Sequence, residues 1–318
     1  MDETMKAKTI KKVLRSKIDE WIATIDDDAV RKLVEKNVIV TGGSIASMLL
    51  KEQVNDYDVY FKDRATTIAV AKYYVSKFNP KAKSGIGVSI GVDESKDDRV
   101  SVFVQSAGIA SEDGTEKPYQ YFEARPEGEA EEYVSAIITD AGDIQDTYEA
   151  TQEVARETVD QGKPAYRPVF ITTNAITLSH RIQIVLRFYG EPDQLHENYD
   201  FVHCTNYWTS WNDNLVLRPA ALEALLAKEL RYVGSKYPIC SIIRLRKFIA
   251  RGWSVNAGQI LKMVMQASEL DLTDYEVLRD QLTGVDSAYF AEVIAKVKAS
   301  DPQKVNSAYL IEIIDRLF

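Results

Sequence analysis

Cysteine and histidine are nearly absent from this chain of 318 residues, which carries two of one and three of the other. Cys204 and Cys240 are too few for a disulfide framework or a four-thiolate zinc site. His180, His196 and His203 are too few for a histidine-rich metal centre. Long apolar runs are missing too. No stretch approaches the ~20 residues needed to span a bilayer, and the charged segment Met1 to Asp28 lacks the apolar core of a signal peptide. These absences predict a soluble protein in a reducing, cytoplasmic setting with no membrane partner. Bulk positive charge is also lacking. A formal net charge of -9 argues against coating nucleic acid by overall electrostatics, although it leaves room for a local basic groove.

What is present is the balance of an ordinary globular protein, 45% hydrophobic and 27% charged, with length for one large or two modest domains. Residues 7–37 read as helical, because Ile10, Val13, Leu14, Ile18, Trp21, Ile22 and Ile25 recur at spacings of three and four. The period then changes. Val38-Ile39-Val40-Thr41 is a short β-branched run that reads as a buried strand, broken by Gly42-Gly43. Ser44 is placed to cap a following helix with Ile45, Met48 and Leu49 on one face. Asp56 to Phe61 reads as a second strand, and Thr66 to Phe78 as another helix.

Farther on, strand patterns occur at 88–90, 100–104, 169–172, 175–178, 182–188 and 199–204, and Pro192 opens a short helix. Residues 127–160 carry eleven acidic side chains against the single base Arg156, the pattern of a solvated amphipathic helix or an acidic partner face. From Pro219 onward the pattern is helical: 220–232, 239–251, 257–270, 274–282, 287–298 and 307–318. The expected organisation is therefore an α/β unit over 1–218, enlarged by an insertion at about 80–170, and an all-α unit over 219–318.

The chemistry concentrates between Gly42 and Asp58. On a strand, residues two apart share a face, so Asp56 and Asp58 present two carboxylates side by side. Such a pair repels itself unless a cation sits between, and hard oxygen ligands suit Mg²⁺ or Mn²⁺. The Gly42-Gly43-Ser44 turn supplies the complementary half. Glycines let the backbone approach a phosphate, the new helix offers unpaired N–H groups, and Ser44 adds a hydroxyl. The loop lacks Gly-x-Gly-x-x-Gly and any Gly-Lys-Ser/Thr, which disfavours a dinucleotide fold and a P-loop.

This order of a Gly-Gly-Ser turn, a helix and an Asp-x-Asp strand resembles the polymerase-β-like nucleotidyltransferase superfamily, its viral and phage members in particular. The resemblance covers residues 38–61 and 175–204, and about 219–253 more loosely. It implies an α+β core, a mixed sheet with helices, followed by an all-α domain. It implies nucleotide binding by Gly42, Gly43 and Ser44, and Mg²⁺ (or Mn²⁺) held by Asp56, Asp58 and a third carboxylate from a neighbouring strand. Asp200 is the candidate for that third acid, with Glu191, Asp193 and Glu197 as fallbacks. His203, three residues on, is expected to face the other way and pack.

Residues 228–251 carry seven basic side chains against Glu229 alone. Arg244, Lys247 and Arg251 share one helix face there, suited to a triphosphate or an RNA backbone; a salt-bridged surface against the acidic stretch is the competing reading. The implied reaction transfers a nucleoside monophosphate from a triphosphate to an acceptor hydroxyl by two-metal phosphoryl transfer, releasing pyrophosphate. RNA, a tRNA 3′ end among the options, is one acceptor, with Trp208, Trp211, Tyr207 and Tyr232 as stacking positions. A protein or small molecule is another. A catalytically inactive nucleotide-binding phage or viral accessory protein is the reading from a different class.

Overall fold

The computed structural model describes residues 6–78, 88–96, 99–106, 123–124, 164–172 and 174–272, with isolated positions 274, 277 and 281. The acidic stretch 127–160 and the helices expected at 287–298 and 307–318 lie outside the described residues. The described chain falls into two compact units. Residues up to Leu195 and Cys204–Arg218 make the first, while His196–His203 and those from Pro219 onward make the second. The protein is a mixed α+β chain, and none of its described helices is long and apolar enough to cross a membrane.

The helical opening is two helices rather than one. α1 (Ala7–Ala23) buries Ile10, Leu14, Ile18, Trp21 and Ile22, at the spacings that place them on one face. It ends because Asp27 starts afresh: its carboxylate accepts from the backbone N–H of Ala29 and Val30 at 2.8 and 3.1 Å and caps α2 (Asp28–Asn37). Then come β1 (Val38–Thr41), α3 (Gly43–Leu50), β2 (Tyr57–Phe61) and α4 (Arg64–Phe78). The turn into α3 comes two residues early for a serine cap. Gly42 is the N-cap, at φ 89° and ψ −150°, a conformation open to glycine, and Ser44 lies inside the first turn.

The remaining strands are β3 (Val88–Asp93), β4 (Ser101–Ser106), β5 (Glu123–Ala124), β6 (Pro168–Thr172), β7 (Ala175–Leu178), β8 (Ile182–Tyr189), β9 (Tyr207–Thr209) and β10 (Asn214–Val216). Among the described residues, eight strands form one sheet in the order β10-β9-β1-β2-β8-β7-β6-β5, and β3 pairs with β4 separately. Every pairing in the large sheet is antiparallel except β2 with β8.

Register sorts the two faces of this sheet, because laterally paired residues point the same way and successive residues alternate. One row across it reads Leu215, Trp208, Val40, Val59, Ile184, Ile176 and Ile171. All seven are apolar and belong to or pack on the core with α1, α2 and α4. The next row reads Val216, Tyr207, Thr41, Asp58, Gln183 and Thr177 and faces the other way. A hydrophobic face therefore fixes the register, and a one-residue slip would drive Asp58 into the core.

The second unit contains α6 (Pro219–Ala227), α7 (Pro238–Ala250) and α8 (Ala257–Ala267), α5 being the short helix Pro192–His196. The segment His196–His203 is tied into it by backbone bonds: Val202 N–H to Arg231 O at 3.0 Å and Val233 N–H to Asp200 O at 2.9 Å. Residues 199–204 are not a strand. Phe201 makes a single antiparallel bridge to Tyr232, and Val202–Cys204 is a 3₁₀ turn. A backbone that finds its partners in the helical unit has no ladder of its own to extend.

Candidate active site

β1 and β2 run antiparallel with Thr41 opposite Asp58, so the end of one strand meets the start of the other. The turn Gly42-Gly43-Ser44 thus begins beside the residue paired to Asp58. Gly42 N–H donates to Cys204 O at 3.1 Å, and the Thr41 hydroxyl donates to Asn206 O at 2.9 Å, which pins the turn. Ser44 is 2% exposed, and its hydroxyl has no hydrogen-bond partner. A buried orphan hydroxyl is uncommon and costs about 1–3 kcal/mol unless a ligand satisfies it. A methyl group built on Gly43 would meet nothing within 4 Å, so the space over the turn is open.

Asp56 and Asp58 are both half-buried at the opening of β2, with Tyr57 between them facing the helices. Tyr57 is anchored there. The Lys17 ammonium lies over its ring, 5.6 Å from the centroid, and over that of Tyr166 at 5.0 Å. Burial pushes Lys17 below the usual lysine range, the cost of using it as a packed cation. Tyr166 in turn donates to Glu20 at 3.1 Å. From the 3₁₀ turn Ser179–Arg181 just before β8, Arg181 donates to the carbonyl of Val54 at 2.8 Å, two residues before Asp56. His180 and Arg181 both adopt φ 66°, a left-handed pair that sequence rarely tolerates outside glycine. The start of β2 is therefore held by Lys17 of α1 against Tyr57 and by Arg181 against the Val54 carbonyl.

Asp200 and Arg244 are brought together in the second unit. Arg244 donates to Asp200 Oδ2 at 2.8 Å, and Phe201 N–H donates to Oδ1 at 2.9 Å, so both carboxylate oxygens are engaged. The residue expected as a metal ligand and the residue expected on a triphosphate are thus partners in an ion pair. Lys247 is half-buried on the same helix. The fallback acids are committed at the surface: Glu191 pairs with Lys62 and Asp193 with Arg218, while Glu197 is exposed. No group of three His, Cys, Asp or Glu is gathered for an ion among the described residues. The donor chemistry that fits a hard divalent cation is the Asp56–Asp58 pair, which leaves coordination positions for substrate phosphate and water.

Of the aromatic positions, Trp208 is fully buried in the core and donates to Asp213, so it is structural. Tyr232 is buried and bonded to Gln266, also structural. Tyr207 and Trp211 are half-buried beneath Arg218 and Lys62. His203 packs as expected, 2% exposed in a box of Phe201, Phe248 and Trp253. Burial pushes its pKa down to about 4, against a smaller opposing pull from Asp200. An unfolded histidine titrates near 6.5. The unfolded chain therefore binds a proton that the folded chain refuses, and stability is lost as pH falls from 6.5 towards 4. His203→Phe is expected to flatten that slope by about 2–3 kcal/mol at pH 4.5, read from denaturant unfolding at pH 7.5 and 4.5. Equal slopes would remove His203 from the acid response.

Two side chains of this site carry no motif and were missed in the sequence, Gln183 and Arg181. The β2–β8 pairing sets Gln183 against Asp58, and a side-chain hydrogen bond brings Arg181 to Val54; nothing local signals either.

Fold and site together define a mixed α+β protein in which a glycine turn and a helix N-terminus follow the residue paired to Asp58. Residues 12–228 match the Gabija anti-defense 2 family, and the chain belongs to it. A curated relative, Gabija anti-defense 2 of Bacillus phage SPbetaL7, is 19% identical over 123 residues, 38% of this chain and 31% of the relative. Solved structures with a similar course include the Thermotoga maritima CCA-adding enzyme complexed with tRNA (13% identity, TM-score 0.35, 79% of this chain and 45% of that one). A tRNA-processing enzyme with CTP gives 13%, 0.38, 91% and 54%. The Bacillus stearothermophilus CCA-adding enzyme with CTP gives 10%, 0.34, 86% and 50%. The chain thus spans about half the length of these structures and a third of the phage relative, and likeness of that degree carries no conclusion about activity.

Proposed function

We propose that this protein is a metal-dependent nucleotidyltransferase with a polymerase-β-like core, which moves a nucleoside monophosphate from a triphosphate to an acceptor hydroxyl. The observation that supports the reading is the Thr41–Asp58 register, by which the turn Gly42–Ser44, with its unpartnered serine, follows directly on the residue paired to Asp58. The turn binds: the first N–H groups of α3 and the Ser44 hydroxyl donate to the phosphates of the nucleotide. Asp56 and Asp58 hold Mg²⁺ or Mn²⁺, which when bound neutralises phosphate charge and lowers the pKa of the acceptor hydroxyl. Lys17 and Arg181 orient the strand that presents these carboxylates. Arg244 and Lys247, on one helix of the second unit, would serve an RNA backbone. Arg244 would have to release Asp200 to serve in that role.

Family membership supports a phage setting in which the transfer, or the nucleotide it consumes, counters a host defence. RNA and protein are both acceptors compatible with the chemistry. One observation favours a second reading, a nucleotide-binding accessory protein without catalysis: Asp200, the expected third acid, is already neutralised by Arg244.

Gly43→Ala separates binding from folding. The added methyl meets nothing in the protein, so the fold keeps its stability or gains up to about 1 kcal/mol. It occupies the space assigned to phosphate, so nucleotide affinity is expected to fall about tenfold or more, ~1.4 kcal/mol, by calorimetric titration with each Mg²⁺–ribonucleoside triphosphate. Unchanged affinity would move the phosphate elsewhere. Catalysis itself is tested by pyrophosphate release from the four triphosphates with Mg²⁺ or Mn²⁺, with and without cellular RNA. Binding without release under every condition would favour the accessory reading.

A further inference from the structure

The strand beside β2 is β8, the one parallel neighbour in the sheet, and its register sets Gln183 against Asp58. Thr41, Asp58, Gln183 and Thr177 form a polar row across four strands, all facing away from the core. The members on either side of the central pair are short hydroxyl side chains, and the Thr41 hydroxyl is already spent on backbone carbonyls. Gln183 is half-buried, and no group among the described residues engages its amide. Its neighbours along β8, Ile182 and Ile184, are fully buried on the core face, so the strand cannot rotate to take the amide elsewhere. A long uncharged oxygen donor thus stands on the same face as Asp58, in the position where a further ligand from a neighbouring strand would come.

We infer that Gln183 is a third, neutral ligand of the divalent cation held by Asp56 and Asp58, and that the site binds this cation together with the nucleotide rather than alone. The inference rests on the nucleotidyltransferase reading and deepens it. Two carboxylates and an amide oxygen give the protein's share of the site a charge of two rather than three. Affinity of oxygen sites for hard cations rises with the number of charged ligands, and Mg²⁺ with few carboxylates relies on substrate phosphates to complete its shell. The triphosphate supplies the missing negative charge. The orphaned Ser44 hydroxyl at the turn beside Asp58 marks where that triphosphate enters. The neutral amide also lessens repulsion among the carboxylates when no cation is present, so the empty site stays folded.

The test is Mn²⁺ binding, followed by the electron paramagnetic resonance of the free ion, on full-length protein. Wild type, Gln183→Glu, Gln183→Leu and Asp58→Asn are each titrated with Mn²⁺ alone. They are then titrated with α,β-methylene analogues of the four ribonucleoside triphosphates present, and folding is checked by thermal unfolding. Wild type is expected to bind Mn²⁺ at least tenfold more tightly with an analogue than without. Gln183→Glu should raise affinity for Mn²⁺ alone at least tenfold and shrink the analogue's contribution. Gln183→Leu should weaken the Mn²⁺–analogue complex about fivefold while folding normally. Glu and Leu variants that match wild type, while Asp58→Asn loses Mn²⁺, would overturn the assignment of Gln183 and leave the metal reading standing. An Asp58→Asn variant that matches wild type would overturn both.

Discussion

Pyrophosphate release is expected to fall on the order of 10³-fold or more when Asp56 or Asp58 is changed to asparagine, a loss of about 4 kcal/mol or more of transition-state stabilisation. The substitution is close to isosteric, so the strand, its register and the Lys17–Tyr57 anchor remain. What changes is charge. One carboxylate fewer leaves a hard cation without half of its anionic ligands, in a site that gathers no third acid among the described residues. A site with spare carboxylates would tolerate the change better, so the steepness of the loss measures how much rests on this pair. Thermal stability should stay level or rise slightly, because removing one of two like charges relieves their repulsion. Loss of release accompanied by unfolding would carry no weight; loss in a protein of unchanged unfolding temperature would. Release that persists within tenfold of wild type in both variants would remove the two aspartates from catalysis.

Trp21→Ala is the substitution with the largest expected cost to the fold, about 3–5 kcal/mol. Trp21, in the last turn of α1, is 0% exposed, and its indole N–H donates to the Tyr74 hydroxyl of α4 at 2.7 Å. Burial pushes the Tyr74 phenol up, so that hydroxyl stays protonated across the working range. Truncation removes the ring and also strands a buried hydroxyl. Trp21→Phe keeps much of the volume and loses only the hydrogen bond, for about 1–2 kcal/mol. Urea unfolding of the two variants separates the packing share from the polar share. The effect reaches the site through α1, because Lys17 sits one turn before Trp21 and presses on Tyr57. A cost below 1 kcal/mol for the alanine variant would mean that α1 is not integral to the core.

Much of the first unit was legible because its signals are local. The alternation of Ile10, Leu14 and Ile18 marks a helix, the run at Val38–Thr41 a buried strand, and Gly42-Gly43 the break between them. Strands at Ala175–Leu178 and Ile182–Tyr189 follow from period and branching. Strand alternation predicts that Asp56 and Asp58 share a face; in the structure β2 begins at Tyr57, so Asp58 alone holds a place in the ladder and Asp56 lies just before it. The features that escaped are those created by pairing over long separations. Gln183 reaches Asp58 from 125 positions away, through a parallel register that no local pattern encodes. Asp200 read as a strand residue because Tyr199, Phe201 and Val202 are β-formers, yet their backbone partners are Arg231 and Val233 of the helical unit. Arg244 read as part of a basic face for a triphosphate or RNA, or of a surface paired to the acidic stretch, and the structure pairs it with Asp200, forty-four positions earlier. Ser44 was displaced from the cap by Gly42, whose φ 89° lets the chain turn first.

The central claim is that the bond broken lies between the α- and β-phosphates, and radiolabel position tests it most directly. The protein is incubated with bacterial extract and Mg²⁺, and with each ribonucleoside triphosphate labelled at either the α- or the γ-phosphate. Acid-precipitable label is then counted before and after ribonuclease or protease. Nucleotidyl transfer predicts that α-label enters the precipitate, that γ-label leaves as pyrophosphate, and that Asp58→Asn abolishes both. The digestion then identifies the acceptor as RNA or protein. Transfer of γ-label, or no transfer of either label by protein that binds Mg²⁺–nucleotide, would contradict it.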